Sequence, residues 1–132
     1  MIVLPCSLPV YFDVDDTLVM WNPTPEQLEK DGVDFTCPAG QYFDGDDMTQ
    51  ASPEWTAKLV PHKKHIEMLK LHKMRNHAVI VWSAGGWDWA EAVVKALGLE
   101  SYVDLVITKP RWAYDDMPAD RILPDIQWLE DK

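Results

Sequence analysis

Residues 10–18 read VYFDVDDTL. The first five of them, VYFDV, are β-branched, aromatic or apolar except for Asp13, and this composition is typical of a short buried strand. The run ends abruptly at Asp15 and Asp16. These residues therefore predict a buried strand that delivers acidic side chains at its carboxyl end.

Three further runs have the composition of strands. They are AVIVW at residues 78–82, VDLVI at residues 103–107 and the shorter run WAY at residues 112–114. With the strand at residues 10–14, they make four predicted strands.

Two helical patterns separate these strands. The first spans residues 61–75, begins with a proline and places Ile66 and Leu69 on one stripe. The second follows a Gly-Gly turn and repeats apolar residues every four positions up to Gly98, a common signal for a helix end. Because strands and helices alternate, the sequence predicts an α/β fold with a parallel sheet of about four strands flanked by helices. A loop and a terminal helix are expected after residue 117.

Residues 21–60 show no sustained hydrophobic period, because proline or glycine recurs every few positions. We expect an ordered flap with little secondary structure, inserted after the first strand. Its aromatic residues argue against a disordered linker, since such linkers are poor in aromatic side chains. They are Trp21, Phe35, Tyr42, Phe43 and Trp55.

Size and charge limit the classes of function. The 132 residues allow one domain over residues 1–132. With 22 acidic and 12 basic residues, the formal net charge is -10. Such a charge repels phosphate backbones and anionic lipid, so we expect no binding to duplex nucleic acid or to membranes. The oligomeric state is left open.

Signals for targeting and for disulfide bonding are sparse. The N-terminal residues lack the basic region of a secretory signal, and no run approaches the ~20 apolar residues of a membrane span. By elimination, we expect a cytoplasmic protein. Cys6 and Cys37 are too few for a disulfide-stapled scaffold or an all-thiolate zinc site, and we expect both to be reduced.

Each predicted strand ends in a reactive or charged side chain. Ligand sites in open parallel sheets collect at the carboxyl ends of strands, so we expect these side chains to lie together. Carboxylates from two strands can hold a hard divalent cation, while a hydroxyl and an ammonium can neutralise a bound phosphate. The set therefore predicts phosphoryl chemistry. It comprises Asp13 with Asp15, then Ser83, then Lys109, then Asp115 with Asp116.

The string DVDDTL at residues 13–18 resembles the first motif, DxDx[TV]L, of the haloacid dehalogenase-like (HAD-like) phosphatases. Ser83 is similar to the second motif of that family and Lys109 to the third. Asp115 and Asp116 resemble the acidic fourth motif. The resemblance implies a Rossmann-like core and Mg2+-dependent hydrolysis of phosphomonoesters through an aspartyl-phosphate intermediate.

The resemblance also implies a role for each matched residue. Asp13 would be the nucleophile, and Asp15 would act first as general acid and then as general base. Ser83 and the amides around Ala84 and Gly85 would hold phosphate oxygens. In the same comparison, Lys109 would bind the phosphate and stabilise negative charge on it and on the nucleophile.

Metal and substrate follow from the same resemblance. Mg2+ would be bound by Asp13, by the backbone carbonyl of Asp15 and by Asp115 or Asp116. Family members that act on carbon-halogen bonds lack an acid at the position of Asp15, so a phosphatase is favoured over a dehalogenase. The expected substrate is a small phosphate ester. A nucleotide is one candidate because Trp21 and Trp87, if they are not simply core residues, could stack on a base.

Some parts of the match have alternatives. Asp116 and Asp120 also have the DxxxD spacing of another fourth motif, although we prefer Asp115 with Asp116. Lys95 could replace Lys109, but it lies within a predicted helix and not at a strand end. The chain has no room for a separate cap domain, so we expect a minimal, capless architecture.

Other functions fit part of the pattern. A phospho-signalling receiver shares the acidic residues and the Lys-Pro, but residues 52–60 offer no strand that ends in an acceptor Asp. A catalytically silent, phosphatase-like binding module would dock a partner through the acidic flap. His62 and His65 could form a metal-binding pair, but we interpret the histidines of this helix as solvated surface.

Overall fold

The computed structural model describes residues 8–40 and 53–122. Tyr42, Phe43, Cys6 and most of the predicted terminal helix lie outside these residues. The elements follow in the order β1 (Pro9–Asp13), β2 (Val19–Met20), α1 (Pro25–Asp31), β3 (Val33–Cys37), β4 (Trp55–Pro61), α2 (Lys63–Met74), β5 (Ala78–Ser83), α3 (Trp87–Ala96), β6 (Leu105–Thr108) and α4 (Ala119–Ile122).

A parallel sheet with the strand order β1-β5-β6 carries the predicted strand ends. The register pairs Asp13 with Trp82 and Ser83 with Thr108, so the carboxyl ends of all three strands meet at one edge. The central strand, β5, is almost entirely buried, as its continuous apolar run requires. The strands predicted at residues 10–14, 78–82 and 103–107 and the mixed α/β class are confirmed.

The predicted fourth strand at residues 112–114 is wrong. These residues lie in a loop, where Trp112 is 77% exposed and Tyr114 is fully exposed. The run is short and follows Pro110, which has no N–H to donate to a strand ladder. With both aromatic rings in solvent, the run buries no face. Within the described residues, the parallel sheet therefore has three strands.

Both predicted helices are present. α2 lies within residues 61–75 and buries Leu69, while Ile66 packs partly buried against the core. α3 buries Trp89 and Val93 and ends at Ala96. Gly98 follows with a φ of 67°, a left-handed conformation that glycine adopts at no steric cost.

The prediction of little secondary structure in residues 21–60 is wrong for the described part of this segment. α1 begins after Thr24, which forms a reciprocal capping box with Gln27. Pro25 occupies the first turn, where a missing N–H costs nothing. The proline therefore starts a helix here, whereas proline spacing alone predicts irregular structure.

β3 and β4 of this segment, together with β2 just before it, form an antiparallel sheet with the order β2-β4-β3. Along β3, Phe35 and Cys37 are buried while their neighbours are exposed, which is the alternation of a sheet with one covered face. β3 packs against α3, and Phe35 lies edge-on to Trp89 with ring centroids 6.3 Å apart. The inserted sheet therefore shares its core with the parallel sheet. No helix in the described ranges is long and apolar enough to cross a membrane.

Candidate active site

The turn after β1 fixes the backbone that carries the two predicted catalytic aspartates. The N–H groups of residues 17–19 all donate to the carbonyl of Val14, at 2.9 to 3.2 Å. Asp16 has a φ of 59°, and aspartate is one of the few residue types besides glycine that adopts this conformation readily. Because Val14 is fully buried, the turn is anchored in the core between Asp13 and Asp15.

Asp13 and Lys109 form an ion pair at the edge of the sheet. Lys109 Nζ lies 3.0 Å from Asp13 Oδ1, and the Thr17 hydroxyl donates to Asp13 Oδ2 at 3.4 Å. The Lys109 backbone N–H donates to the Ser83 carbonyl at 3.0 Å, which ties the residue to the end of β5. The side chains of Asp13 and Lys109 are each about one third exposed, so solvent and a small ligand can reach the pair.

Ser83 joins the second aspartate to the loop before α3. Its hydroxyl donates to Asp15 Oδ2 at 3.3 Å and accepts from the Gly85 N–H at 3.0 Å. A Cβ at Gly85 would lie only 3.3 Å from this hydroxyl, so the glycine permits the close approach. Ser83 itself is buried, whereas Ala84 is exposed. The structure therefore brings Asp15, Ser83 and Gly85 together in one cluster.

Two indole groups complete the surroundings of Asp15. Trp21 Nε1 donates to Asp15 Oδ1 at 2.7 Å, and Trp89 Nε1 donates to the same oxygen at 2.9 Å. From the sequence, Trp21 is expected either to pack in the core or to stack on a base, and the four-residue apolar repeat that begins at Trp89 predicts only a core-facing helix. No sequence signal separates a tryptophan that packs from one that also donates a hydrogen bond, so this contact was missed.

His65 is a second residue whose position was not foreseen. It is buried, its Nδ1 lies 2.7 Å from the Thr17 carbonyl, and its ring stacks on His62 with centroids 3.4 Å apart. The interpretation of His65 as solvated helix surface is therefore wrong. α2 packs on the turn after β1, and the imidazole supplies a polar partner for the backbone of that turn.

The predicted fourth motif lies apart from this cluster in the described contacts. Asp115 and Asp116 are exposed in the loop after β6, and Asp115 Oδ1 accepts the Met117 N–H at 2.9 Å. In the described ranges, no three His, Cys, Asp or Glu side chains come together as a metal site. Asp13 still fits Mg2+, which commonly takes one or two carboxylates together with phosphate oxygens and waters. The ligand expected from Asp115 or Asp116 stays a prediction.

A cavity of about 400 Å³ lies beside α3. Its lining includes Gly40, Asp88 and Lys95, the alternative to Lys109, and excludes Asp13, Asp15, Ser83 and Lys109. Asp88 Oδ2 is buried there and has no hydrogen-bond partner among the described residues. The sheet edge, by contrast, holds two aspartates, one in contact with an ammonium and the other with a hydroxyl, so it is the stronger candidate for catalysis.

Comparisons of this chain with protein-family models, with curated proteins and with solved structures find no match.

Proposed function

We propose that the chain is a Mg2+-dependent phosphomonoester hydrolase of the HAD-like type that acts through an aspartyl-phosphate intermediate. One observation carries the proposal: four side chains from three strand ends and one turn converge at a single edge. Lys109 Nζ lies 3.0 Å from Asp13, and the Ser83 hydroxyl lies 3.3 Å from Asp15. The order of these residues in the chain is that of the family's motifs.

Asp13 is the proposed nucleophile. One of its carboxylate oxygens attacks phosphorus, a P–O bond forms, and the bond from phosphorus to the leaving oxygen breaks. Lys109 supports this step because its ammonium lies beside Asp13 and offsets the repulsion between a carboxylate and an anionic phosphate. The product of the step is an acyl phosphate on Asp13.

Asp15 is the proposed general acid and base. In the first step its carboxyl gives a proton to the leaving oxygen, which departs as an alcohol. In the second step the resulting carboxylate takes a proton from water, and the water oxygen bonds to phosphorus. The bond from phosphorus to Asp13 then breaks, which releases phosphate and restores both carboxyl groups to their starting forms.

The loop from Ser83 to Gly85 is the proposed cradle for the phosphate. Backbone N–H groups and a hydroxyl are suitable donors for anionic oxygens, and the glycine allows a close approach. Ala84 is the exposed member of this loop, so a ligand can approach the loop at this residue. Lys109, beside Asp13, contributes positive charge to the same phosphate.

Mg2+ is the proposed cofactor, held by Asp13, by the Asp15 carbonyl and by Asp115 or Asp116. When bound, it would supply positive charge that neutralises the phosphate and orients it for in-line attack. The substrate is proposed to be a small phosphate ester. Trp21 supports an aromatic or nucleotide group on the ester, because it contacts Asp15 and is 38% exposed.

The experiment that tests the function is hydrolysis of p-nitrophenyl phosphate with Mg2+ by the wild type, Asp13→Asn and Asp15→Asn. We expect turnover by the wild type, its loss in Asp13→Asn, and a fall of roughly 10²- to 10⁴-fold in Asp15→Asn. Asp34→Asn is the matched control, because Asp34 is an exposed aspartate on β3. Full activity of Asp13→Asn would refute the mechanism. A wild type that turns over neither this ester nor a panel of nucleotides would favour a receiver or a silent binding module.

A further inference from the structure

The carboxyl group of Asp15 is held from three directions. Its Oδ1 accepts from Trp21 Nε1 at 2.7 Å and from Trp89 Nε1 at 2.9 Å. Its Oδ2 faces the Ser83 hydroxyl at the longer distance of 3.3 Å. The three donors come from the segment after β2, from α3 and from the end of β5. The two oxygens of one carboxyl group therefore have different surroundings.

The two indoles belong to one aromatic cluster. Trp89 is only 3% exposed, and its ring lies 4.5 Å from Trp55 and 6.3 Å from Phe35. Trp21 lies at the surface of the cluster, with its ring 6.1 Å from Trp55 and 6.2 Å from Trp89. Close packing restricts side-chain rotation, so the cluster holds both N–H groups in place.

The chemistry of the indole N–H group determines which oxygen of Asp15 is available to carry a proton. An indole N–H donates a hydrogen bond and cannot accept one. Two such donors occupy the lone pairs of Oδ1, so a proton carried by Asp15 sits on Oδ2. That oxygen lies on the side of Ser83, where the proposed phosphate cradle begins.

We propose that Trp21 and Trp89 are positioning residues that fix the carboxyl group of Asp15 with Oδ2 directed at the leaving oxygen of the substrate. This inference rests on the proposed function. It adds a role for the inserted antiparallel sheet, because Trp21 directly follows β2, and Trp55, which packs on both indoles, begins β4.

If the hydrogen bonds from the two indoles to Asp15 served only to stabilise the fold, their loss would have a different effect. A buried indole N–H needs an acceptor, so Asp15 could serve only to satisfy Trp89. In that case, loss of an indole donor would lower stability and would affect all substrates alike. Positioning of a general acid has another signature, because esters with a poor leaving group depend on protonation more than esters with a good one.

The test compares kcat/KM of Trp21→Phe with that of the wild type for three esters: p-nitrophenyl phosphate, phenyl phosphate and glycerol phosphate. This quantity reports the step in which the leaving group departs, whereas kcat also contains the hydrolysis of the phosphorylated aspartate, which is the same for all three esters. Phenylalanine keeps an aromatic ring but removes the donor. We expect kcat/KM for glycerol phosphate to fall by roughly 10- to 100-fold, with a much smaller fall for p-nitrophenyl phosphate. Trp89→Phe should show the same graded loss. Thermal unfolding establishes that each variant is folded.

Trp55→Phe is the matched control, because phenylalanine keeps a ring packed on both indoles and Trp55 does not donate to Asp15 among the described hydrogen bonds. We expect it to change the three esters by one common, small factor. If Trp89→Phe does not fold, Trp21→Phe decides the question alone, since Trp21 is at the surface.

Two results would contradict the positioning role of the indoles without contradicting the proposed hydrolase function. One is an equal loss for all three esters in folded Trp21→Phe, and the other is no loss for any ester. A wild type that hydrolyses none of the esters would instead contradict the proposed function and the positioning role together.

Discussion

Lys109 Nζ lies 3.0 Å from Asp13 Oδ1, although β1 and β6 are not neighbours in the parallel sheet. The lysine side chain crosses the end of β5, and its ammonium lies 5.8 Å from the centre of the Trp82 ring. A cation near an aromatic face is attracted to it, so the ring helps to hold the lysine along this path. The contact thus joins the two outer strands of the sheet at their carboxyl ends.

Replacement of Lys109 tests the role of this pair. We expect Lys109→Ala to lower kcat for p-nitrophenyl phosphate by roughly 10²- to 10³-fold, because it removes a charge from the proposed transition state. The melting temperature should change little, since a pair this exposed contributes only about 0–1 kcal/mol. Lys95→Ala is the control, because Lys95 pairs with Glu91 on the surface of α3. A large loss of kcat in Lys95→Ala, with normal activity in Lys109→Ala, would assign the phosphate-binding lysine to Lys95 instead of Lys109.

Metal dependence tests the acidic fourth motif. EDTA should abolish hydrolysis, and added Mg2+ should restore it. Asp115→Asn or Asp116→Asn should raise the Mg2+ concentration for half-maximal activity by at least the roughly 10-fold that even an outer-shell change costs a metal site. The alternative DxxxD motif predicts this shift for Asp116→Asn and Asp120→Asn instead. Full activity in EDTA would contradict the metal requirement.

Asp104 should make stability depend on pH at the acidic end. Burial raises the pKa of this carboxyl, but hydrogen bonds from Lys73 and the Val79 N–H, together with the charge of Lys73, outweigh burial and lower the pKa below its usual value. A pKa lowered in the folded state means that ionised Asp104 stabilises the fold above the unfolded-state pKa. This stabilisation is lost as the pH falls through the folded-state pKa.

The Asp104→Asn variant measures this contribution. At pH 7, its free energy of unfolding should be lower than that of the wild type by roughly 1.5–3 kcal/mol, the range for hydrogen bonds to charged groups. The difference should shrink as the pH falls below about 4, the ordinary pKa of an aspartate, and through the lower folded-state pKa of Asp104. Urea titrations across this range provide the measurement, with Glu100→Gln as the exposed control. A difference that does not vary with pH would contradict the assignment.

Cys37 should be unreactive in the folded protein. Burial raises the pKa of its thiol to about 11, with a further contribution from the Asp88 carboxylate. Because the thiolate is the nucleophilic form, iodoacetamide at pH 8 should leave Cys37 unmodified until the protein is unfolded. Peptide mass spectrometry before and after addition of denaturant distinguishes the two states. Rapid modification of Cys37 in the native protein would show that this site opens readily.

The sequence predicted the edge of the parallel sheet that carries the candidate site better than it predicted the inserted segment. Strands with continuous apolar runs, such as β5, have an unambiguous pattern, and their carboxyl ends must meet once the sheet is parallel. Asp13, Asp15, Ser83 and Lys109 could therefore be brought together before their contacts were known. Asp115 and Asp116 were expected at the same edge because residues 112–114 were predicted to form a fourth strand. Residues 112–114 are exposed and form no strand.

The inserted segment was missed because its signals are local and short. The start of α1 is marked by a capping box between Thr24 and Gln27. β3 is marked only by one short alternation of exposed and buried residues, in which Phe35 and Cys37 are buried. Proline and glycine spacing suggested irregular structure where the proline in fact starts a helix. The hydrogen bonds from Trp21 and Trp89 to Asp15 depend on tertiary packing, which no periodicity in the sequence encodes.

The most direct test of the account is to trap the covalent intermediate. The wild type and Asp13→Asn would be mixed with p-nitrophenyl phosphate and Mg2+, quenched in acid within the first turnovers and digested for peptide mass spectrometry. We expect one phosphoryl group on Asp13 in the wild type, removable by hydroxylamine and missing from the variant. Turnover with a phosphoryl group on another residue, or without any phosphorylated protein across the quench times, would contradict it.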